Sequence, residues 1–219
     1  PALSGAQGAD SLLCVYLMPK PRPWCNLTGL GPQRDRFLRE SLQELKEQLQ
    51  ALGQDLMVLE GSPELVLPNI VDRFSIDHVT TSHTPGWYET QAIAFLEQKL
   101  PATLSVFRGS TLFDAEQFPF ELEDLPDTFS PFRRKVEKLI ISSPMAAPST
   151  LPPPPSAQFD AIPKAPASPH PGLPLPGGSA AGLRRLDQFL FQTHAIANYK
   201  QTRNDLDGLS LSLIHISEP

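Results

Sequence analysis

A phenol, an ammonium and a guanidinium fall within about one and a half helical turns in the run Asn198-Tyr199-Lys200-Gln201-Thr202-Arg203-Asn204. That grouping suits phosphate. Just ahead of it, Leu183, Leu186, Phe189 and Leu190 recur at helical spacing, which predicts a helix that buries this face and leaves Arg184, Arg185 and Asp187 in water.

Other groupings offer weaker chemistry. Gly29-x-Gly31 follows a strand-like run and precedes a helix, but Arg34 stands where a dinucleotide fingerprint needs its third glycine, so a plain tight turn is expected. Glu121, Glu123, Asp124 and Asp127 read as a solvated loop rather than a metal site. Histidines 78, 83, 170, 194 and 215 lack the spacing of a metal motif. Arg133, Arg134, Lys135 and Lys138 form the wet side of a short helix. No nucleophile elbow, P-loop or paired-carboxylate arrangement is visible, and no metal is expected.

The elements that must position the phosphate-friendly run come earlier. Between Leu12 and Ile141 short apolar runs alternate with amphipathic stretches, which is the pattern of an α/β fold with a doubly wound parallel sheet. Strands are expected at Leu12–Met18, Leu56–Leu59, His78–Ser82 and Leu104–Phe107. Helices are expected at Gln33–Leu52, with Leu38, Leu42, Leu45, Leu49 and Leu52 inward, then from Ser62-Pro63 to Phe74, from Trp87 to Leu100 and from Pro131 to Ile141. Pro68 should kink or restart the second of these, and Ser130-Pro131 should cap and open the last.

The chain has 219 residues and 25 prolines, and twelve of those prolines lie within 144–178, including Pro152 to Pro155. That segment should be extended and semi-rigid, an interdomain tether. The net charge of −6 excludes a global positive field, so any nucleic-acid contact must be local. Cys14 and Cys25 are too few for a disulfide framework and point to free thiols in a reducing, intracellular compartment. The apolar run at Leu12–Met18 is far shorter than the ~20 residues that cross a bilayer, and it lacks the flanks of a signal peptide. No membrane association is expected. Chloroplast, mitochondrion and nucleus all stay open.

Several stretches together resemble the photolyase/cryptochrome family, most closely its DASH-type cryptochrome branch. They are Gly31-Pro32-Gln33-Arg34-x-Arg36-Phe37-Leu38-x-Glu40-Ser41-Leu42, Gly53-x-Asp55-Leu56, Gly61-x-Pro63-Glu64, Gly109-Ser110-Thr111-Leu112, Leu125-Pro126-Asp127-Thr128-Phe129-x-x-Phe132-Arg133 and, most specifically, Thr193-His194-Ala195-Ile196-Ala197-Asn198-Tyr199-Lys200-x-Thr202-Arg203-Asn204. The resemblance implies a Rossmann-like α/β domain for an antenna chromophore over 1–143, a Pro-rich linker over 144–178, and the start of an all-α FAD domain over 179–208. Residues 209–219 fit nothing upstream and resemble adaptor read-through.

The resemblance also implies that Tyr199 contacts FAD and Arg203 faces DNA phosphate, roles that a donating phenol and a forked guanidinium suit. The partner implied is DNA that carries pyrimidine dimers, chiefly single-stranded, and the activity implied is light-driven repair or photoreceptor signalling. A methenyltetrahydrofolate antenna is held in the family partly by a glutamate, and Pro85 stands at that position. The family's first strand has no counterpart, since Pro1-Ala2-Leu3 matches the residues that come directly after that strand. The chain therefore reads as a fragment, inactive alone. The reading from a different class is a non-enzymatic α/β binding module with a proline-rich docking tether.

Overall fold

Apolar residues at nearly every position from Leu12 to Met18 predict a strand covered on both faces, and β1 (Cys14–Met18) forms there. The computed structural model describes residues 1–18, 29–164 and 175–203. Cys25, His170 and His215 lie outside the described residues. Contacts divide the chain into two compact units, one built from Pro1–Leu12 and Gly61–Pro155, the other from Leu13–Glu60 and Ser156–Pro219.

In the second unit β1 runs parallel to β2 (Leu56–Glu60), with Cys14 opposite Leu56 and Met18 opposite Glu60. A parallel pair needs a crossover, and α2 (Pro32–Ala51) supplies it. Pro32 occupies the first turn, where its missing N–H costs nothing. Leu42 and Leu49 are buried as expected, and Leu38 and Leu52 are half-buried. Leu45 is exposed, and Lys46 is buried on the face that an apolar pattern alone would give to leucine. The Lys46 ammonium pairs with Asp55 Oδ1 and donates to the Leu56 carbonyl at 3.2 Å, so it ties α2 to the start of β2. Burial pushes the Cys14 thiol up to about 11, so it packs as a small protonated group at neutral pH.

In the first unit the short helix α1 (Ala2–Gly5) lies on β3 (His78–Ser82), and Thr80 Oγ1 donates to the Ala2 carbonyl at 3.2 Å. β3 runs parallel to β4 (Thr103–Phe107), joined by α4 (Trp87–Lys99), and α3 (Pro63–Phe74) packs on α4. Ile70, Val71, Ala92 and Leu96 make the core here. α3 continues through Pro68 rather than restarting, and the Asn69 side-chain amide donates to the Leu65 carbonyl at 2.8 Å, beside the amide donor that Pro68 lacks. α5 (Phe129–Val136) starts two residues before the expected Pro131 and stops five before Ile141, with Thr128 rather than Ser130 as its N-cap.

The architecture is α/β with parallel strands. Its four strands form two separate parallel pairs among the described residues. The Pro-rich stretch has no helix or strand over residues 142–164 but is pinned: Pro153 accepts from the Ser11 hydroxyl and the Leu12 amide, and Pro163 accepts from Arg39. No helix among the described residues is long and apolar enough to cross a membrane.

Candidate functional site

Tyr199 opens the short helix α7 (Tyr199–Thr202), and Arg203 caps its C-terminus. They stand one turn apart, and the Arg203 amide donates to the Tyr199 carbonyl at 2.9 Å. Both side chains are exposed, Tyr199 at 38%. Lys200 and Arg203 are both exposed, and neither takes part in an ion pair among the described residues.

What holds Tyr199 is Phe189, 3% exposed, whose ring meets the phenol edge to face at a centroid separation of 6.5 Å. Phe189 comes from the end of α6 (Ser179–Asp187), which widens into a π turn over Gln188–Gln192. The widening follows from Thr193, whose amide and hydroxyl both donate to the Gln188 carbonyl at 2.9 Å. His194 then takes a left-handed φ of 51°, and a 3₁₀ turn at Ala195–Asn198 leads into α7. The expected apolar stripe is corrected here. Leu183 (66%) and Leu186 (39%) are exposed, Leu190 is half-buried, and Phe189 is the one buried member of the stripe.

The N-terminus of α6 is fastened to α2, at a place where composition alone predicts only linker. Along one side of α2, Arg36 donates to the Leu175 carbonyl at 3.1 Å, and Glu40 accepts from the Gly177 amide at 2.7 Å. The Ser41 hydroxyl accepts from the Gly178 amide at 2.9 Å, and Glu44 accepts from the Ala180 amide at 3.0 Å and from the Ser179 hydroxyl. The Ser179 hydroxyl and Ala180 amide, helped by Arg184, hold the Glu44 carboxyl below the usual carboxylate range. The two glycines are required. A Cβ at Gly177 would overlap the Phe37 carbonyl and lie 2.8 Å from the Ser41 amide nitrogen, and Gly178 sits at φ 98° with its Cβ position filled by the Glu44 carboxylate. In the sequence the row shows only as i, i+4 polar residues, Arg36, Glu40 and Glu44, on a helix whose opposite face is apolar, a spacing that does not name its partner.

A cavity of about 740 Å³ opens in the first unit at the carboxyl ends of β3 and β4, where parallel strands usually present ligands. The His83 amide donates to the Phe107 carbonyl at 2.8 Å, which extends the pairing so that both loops leave at one level. Phe113, Phe118, Phe129 and Phe132 line it, with the guanidiniums of Arg108 and Arg133 at its rim. Those guanidiniums are only loosely paired, to Glu116 at 3.7 Å and Glu137 at 3.5 Å. Pro85 also lines it, and offers no carboxylate. Phe118 stacks on Phe120 at 5.2 Å, and the Lys135 ammonium lies 4.7 Å from the Phe120 ring centre, so part of the basic stretch on α5 serves packing. Among the described residues no three of His, Cys, Asp and Glu converge on a metal-sized site.

Comparison with known proteins adds three findings. The DNA photolyase family model matches residues 1–155. The cryptochrome DASH of Gloeobacter violaceus is 35% identical over 198 residues, covering 83% of this chain and 39% of that protein, and the cryptochrome DASH of Idiomarina loihiensis is 31% identical over 212 residues, covering 94% and 47%. The crystal structure of the Synechocystis sp. PCC6803 cryptochrome superposes with a TM-score of 0.77 at 30% identity, covering 89% of this chain and 43% of that one. The chain thus spans less than half the length of these relatives.

Proposed function

Because the chain belongs to the DNA photolyase family, we propose that it is part of a DASH-type cryptochrome whose whole protein is a blue-light flavoprotein acting on pyrimidine dimers in single-stranded DNA. On this reading residues 1–143 are the antenna domain, 144–178 the linker and 179–208 the beginning of the FAD domain. FAD, when bound, supplies the light-driven electron. Tyr199 would hold it by donating its phenol O–H to a flavin phosphate oxygen, and Arg203 would clamp a DNA phosphate.

The observation that carries this is the pairing of Tyr199 and Arg203 one turn apart on α7, with Tyr199 braced by buried Phe189. The residues present fit one edge of a flavin site. The phenol is 38% exposed, and no second wall faces it among the described residues. The 219-residue chain alone should therefore purify colourless, and stoichiometric flavin absorbance would overturn that expectation.

A chimera that continues residue 208 with the C-terminal remainder of the Gloeobacter protein tests the roles separately. Tyr199→Phe should weaken FAD binding about tenfold, the cost of one hydrogen bond to a charged acceptor. Arg203→Ala should leave FAD binding intact, weaken single-stranded DNA binding and lower the salt slope by about 1. Unchanged affinities in both variants would remove the reading.

A folate antenna does not fit in the same way. The cavity at the ends of β3 and β4 is lined by phenylalanines, Arg108, Arg133, Asp114 and Glu137, and Pro85, which on the resemblance stands in place of the family's folate-binding glutamate, brings no carboxylate to it. No folate site is assigned. The docking-tether reading needs its prolines free, and Pro153 and Pro163 are held by Ser11, Leu12 and Arg39.

A further inference from the structure

We propose that the polar row along α2, with Glu44 at its centre, is a positioning device for the segment that carries Tyr199 and Arg203. The proposal rests on the roles given to those two residues above. The row reads backbone. Arg36 takes the Leu175 carbonyl, Glu40 the Gly177 amide, Ser41 the Gly178 amide, and Glu44 the Ala180 amide together with the Ser179 hydroxyl. Gln48 completes it with a 3.2 Å bond to the Ser179 hydroxyl.

Two properties separate this row from incidental surface bonding. It is itself fixed, since Arg36 is 3% exposed and holds both oxygens of Glu40 at 2.9 and 3.0 Å. It is also selective: a side chain at Gly177 would overlap the Phe37 carbonyl, and one at Gly178 the Glu44 carboxylate, so only a Gly-Gly backbone reaches the row. At the same point Glu44 serves as the N-terminal cap of α6, because its carboxylate takes an amide of the first turn that has no partner within the helix. A capped first turn sets the direction of α6. Through Phe189 that direction sets where Tyr199 stands.

Hydrogen–deuterium exchange on the 219-residue chain tests this, with 3-fluorotyrosine ¹⁹F spectra reporting on Tyr199. Glu44→Ala and Gly177→Ala should each speed exchange over residues 179–203 about tenfold or more, the scale of one lost charge-assisted hydrogen bond. α2, β1 and β2 should keep their protection, and the Tyr199 resonance should shift. Glu44→Gln, which keeps an acceptor oxygen, should restore part of the protection. Glu47→Ala, on the same helix but bonded only to Gln43 among the described residues, should change nothing.

Exchange that rises equally across α2, β1 and β2 would reduce Glu44 to a general stability role and overturn the proposal, as would an unmoved Tyr199 resonance. If Glu44→Ala does not fold, Glu44→Gln and Gly177→Ala carry the same comparison. None of these measurements involves flavin. Failure of the row leaves the FAD reading standing, and failure of Tyr199→Phe in the chimera leaves the row standing.

Discussion

Replacing Phe189 with alanine should free residues 188–203 from the rest of the chain while α2, β1 and β2 stay folded. Phe189 is 3% exposed, and it is the only buried apolar side chain among the described residues from 179 onward. Truncating a buried phenylalanine costs about 3–5 kcal/mol, more than this short segment of π turn, 3₁₀ turn and one-turn helix can replace from its own hydrogen bonds. Amide exchange over 188–203 should approach the unprotected rate, and Tyr199 should lose its edge-on partner. Phe189→Leu, which keeps most of the volume, should retain much of the protection. Unaltered exchange in Phe189→Ala would mean that the α6 end is held by something other than this ring.

The second large effect is expected at Lys46. Removing one partner of a buried ion pair costs about 3–5 kcal/mol. Asp55 keeps 22% of its side chain exposed and can be rehydrated, so Lys46→Ala should destabilise by about 2–3 kcal/mol in urea titrations. Lys46→Met preserves the apolar stem and should cost less.

The pH dependence provides a separate check. Burial raises the Asp55 carboxyl, but the Lys46 ammonium, the Leu56 amide and Gln50 outweigh it and hold the group below its ordinary value. A depressed carboxylate contributes stability above its unfolded pKa of about 3.9, and loses it as pH falls through the lower folded value. The gap between the native chain and Lys46→Met should therefore be full at neutral pH and close in the acid range below about pH 4. A gap that stayed constant down to strong acid would mean that Asp55 is not the partner that matters.

How far the fold could be read in advance depended on what kind of residue did the burying. Runs such as Cys14–Met18 and Leu56–Glu60, and the leucines at 42 and 49, declare themselves because apolar burial leaves a periodic trace. Lys46 and Arg36 leave none. Lys46 is buried because Asp55, nine residues on, meets its charge, and Arg36 because Glu40, one turn along, meets its charge while the distant Leu175 carbonyl takes another of its donors. Leu45 and Leu183 fail in the opposite sense, apolar and periodic but uncovered.

The polar end groups of the candidate site could be read from the sequence, but their support could not. Tyr199, Lys200 and Arg203 could be named from type and spacing, and α7 does bring Tyr199 and Arg203 to consecutive turns. The grip on α6 could not, because Gly177-Gly178 beside a proline-rich stretch is the composition of a flexible joint. The same two residues without side chains are what a backbone needs in order to lie flat against a row of helix side chains. Only the partner surface distinguishes those meanings.

That grip also has a kinetic side. The bonds from Glu40 to Gly177 and from Ser41 to Gly178 join residues 137 positions apart. Closing a loop of that length carries an entropic cost that shorter loops do not, and contacts of such separation form late in folding. The β1–α2–β2 crossover, whose contacts are local, can assemble first and present the finished polar row. Residues 175–203 then arrive at a template already in place, so a chain emerging from synthesis would order its α2 face before the Tyr199 segment exists to meet it.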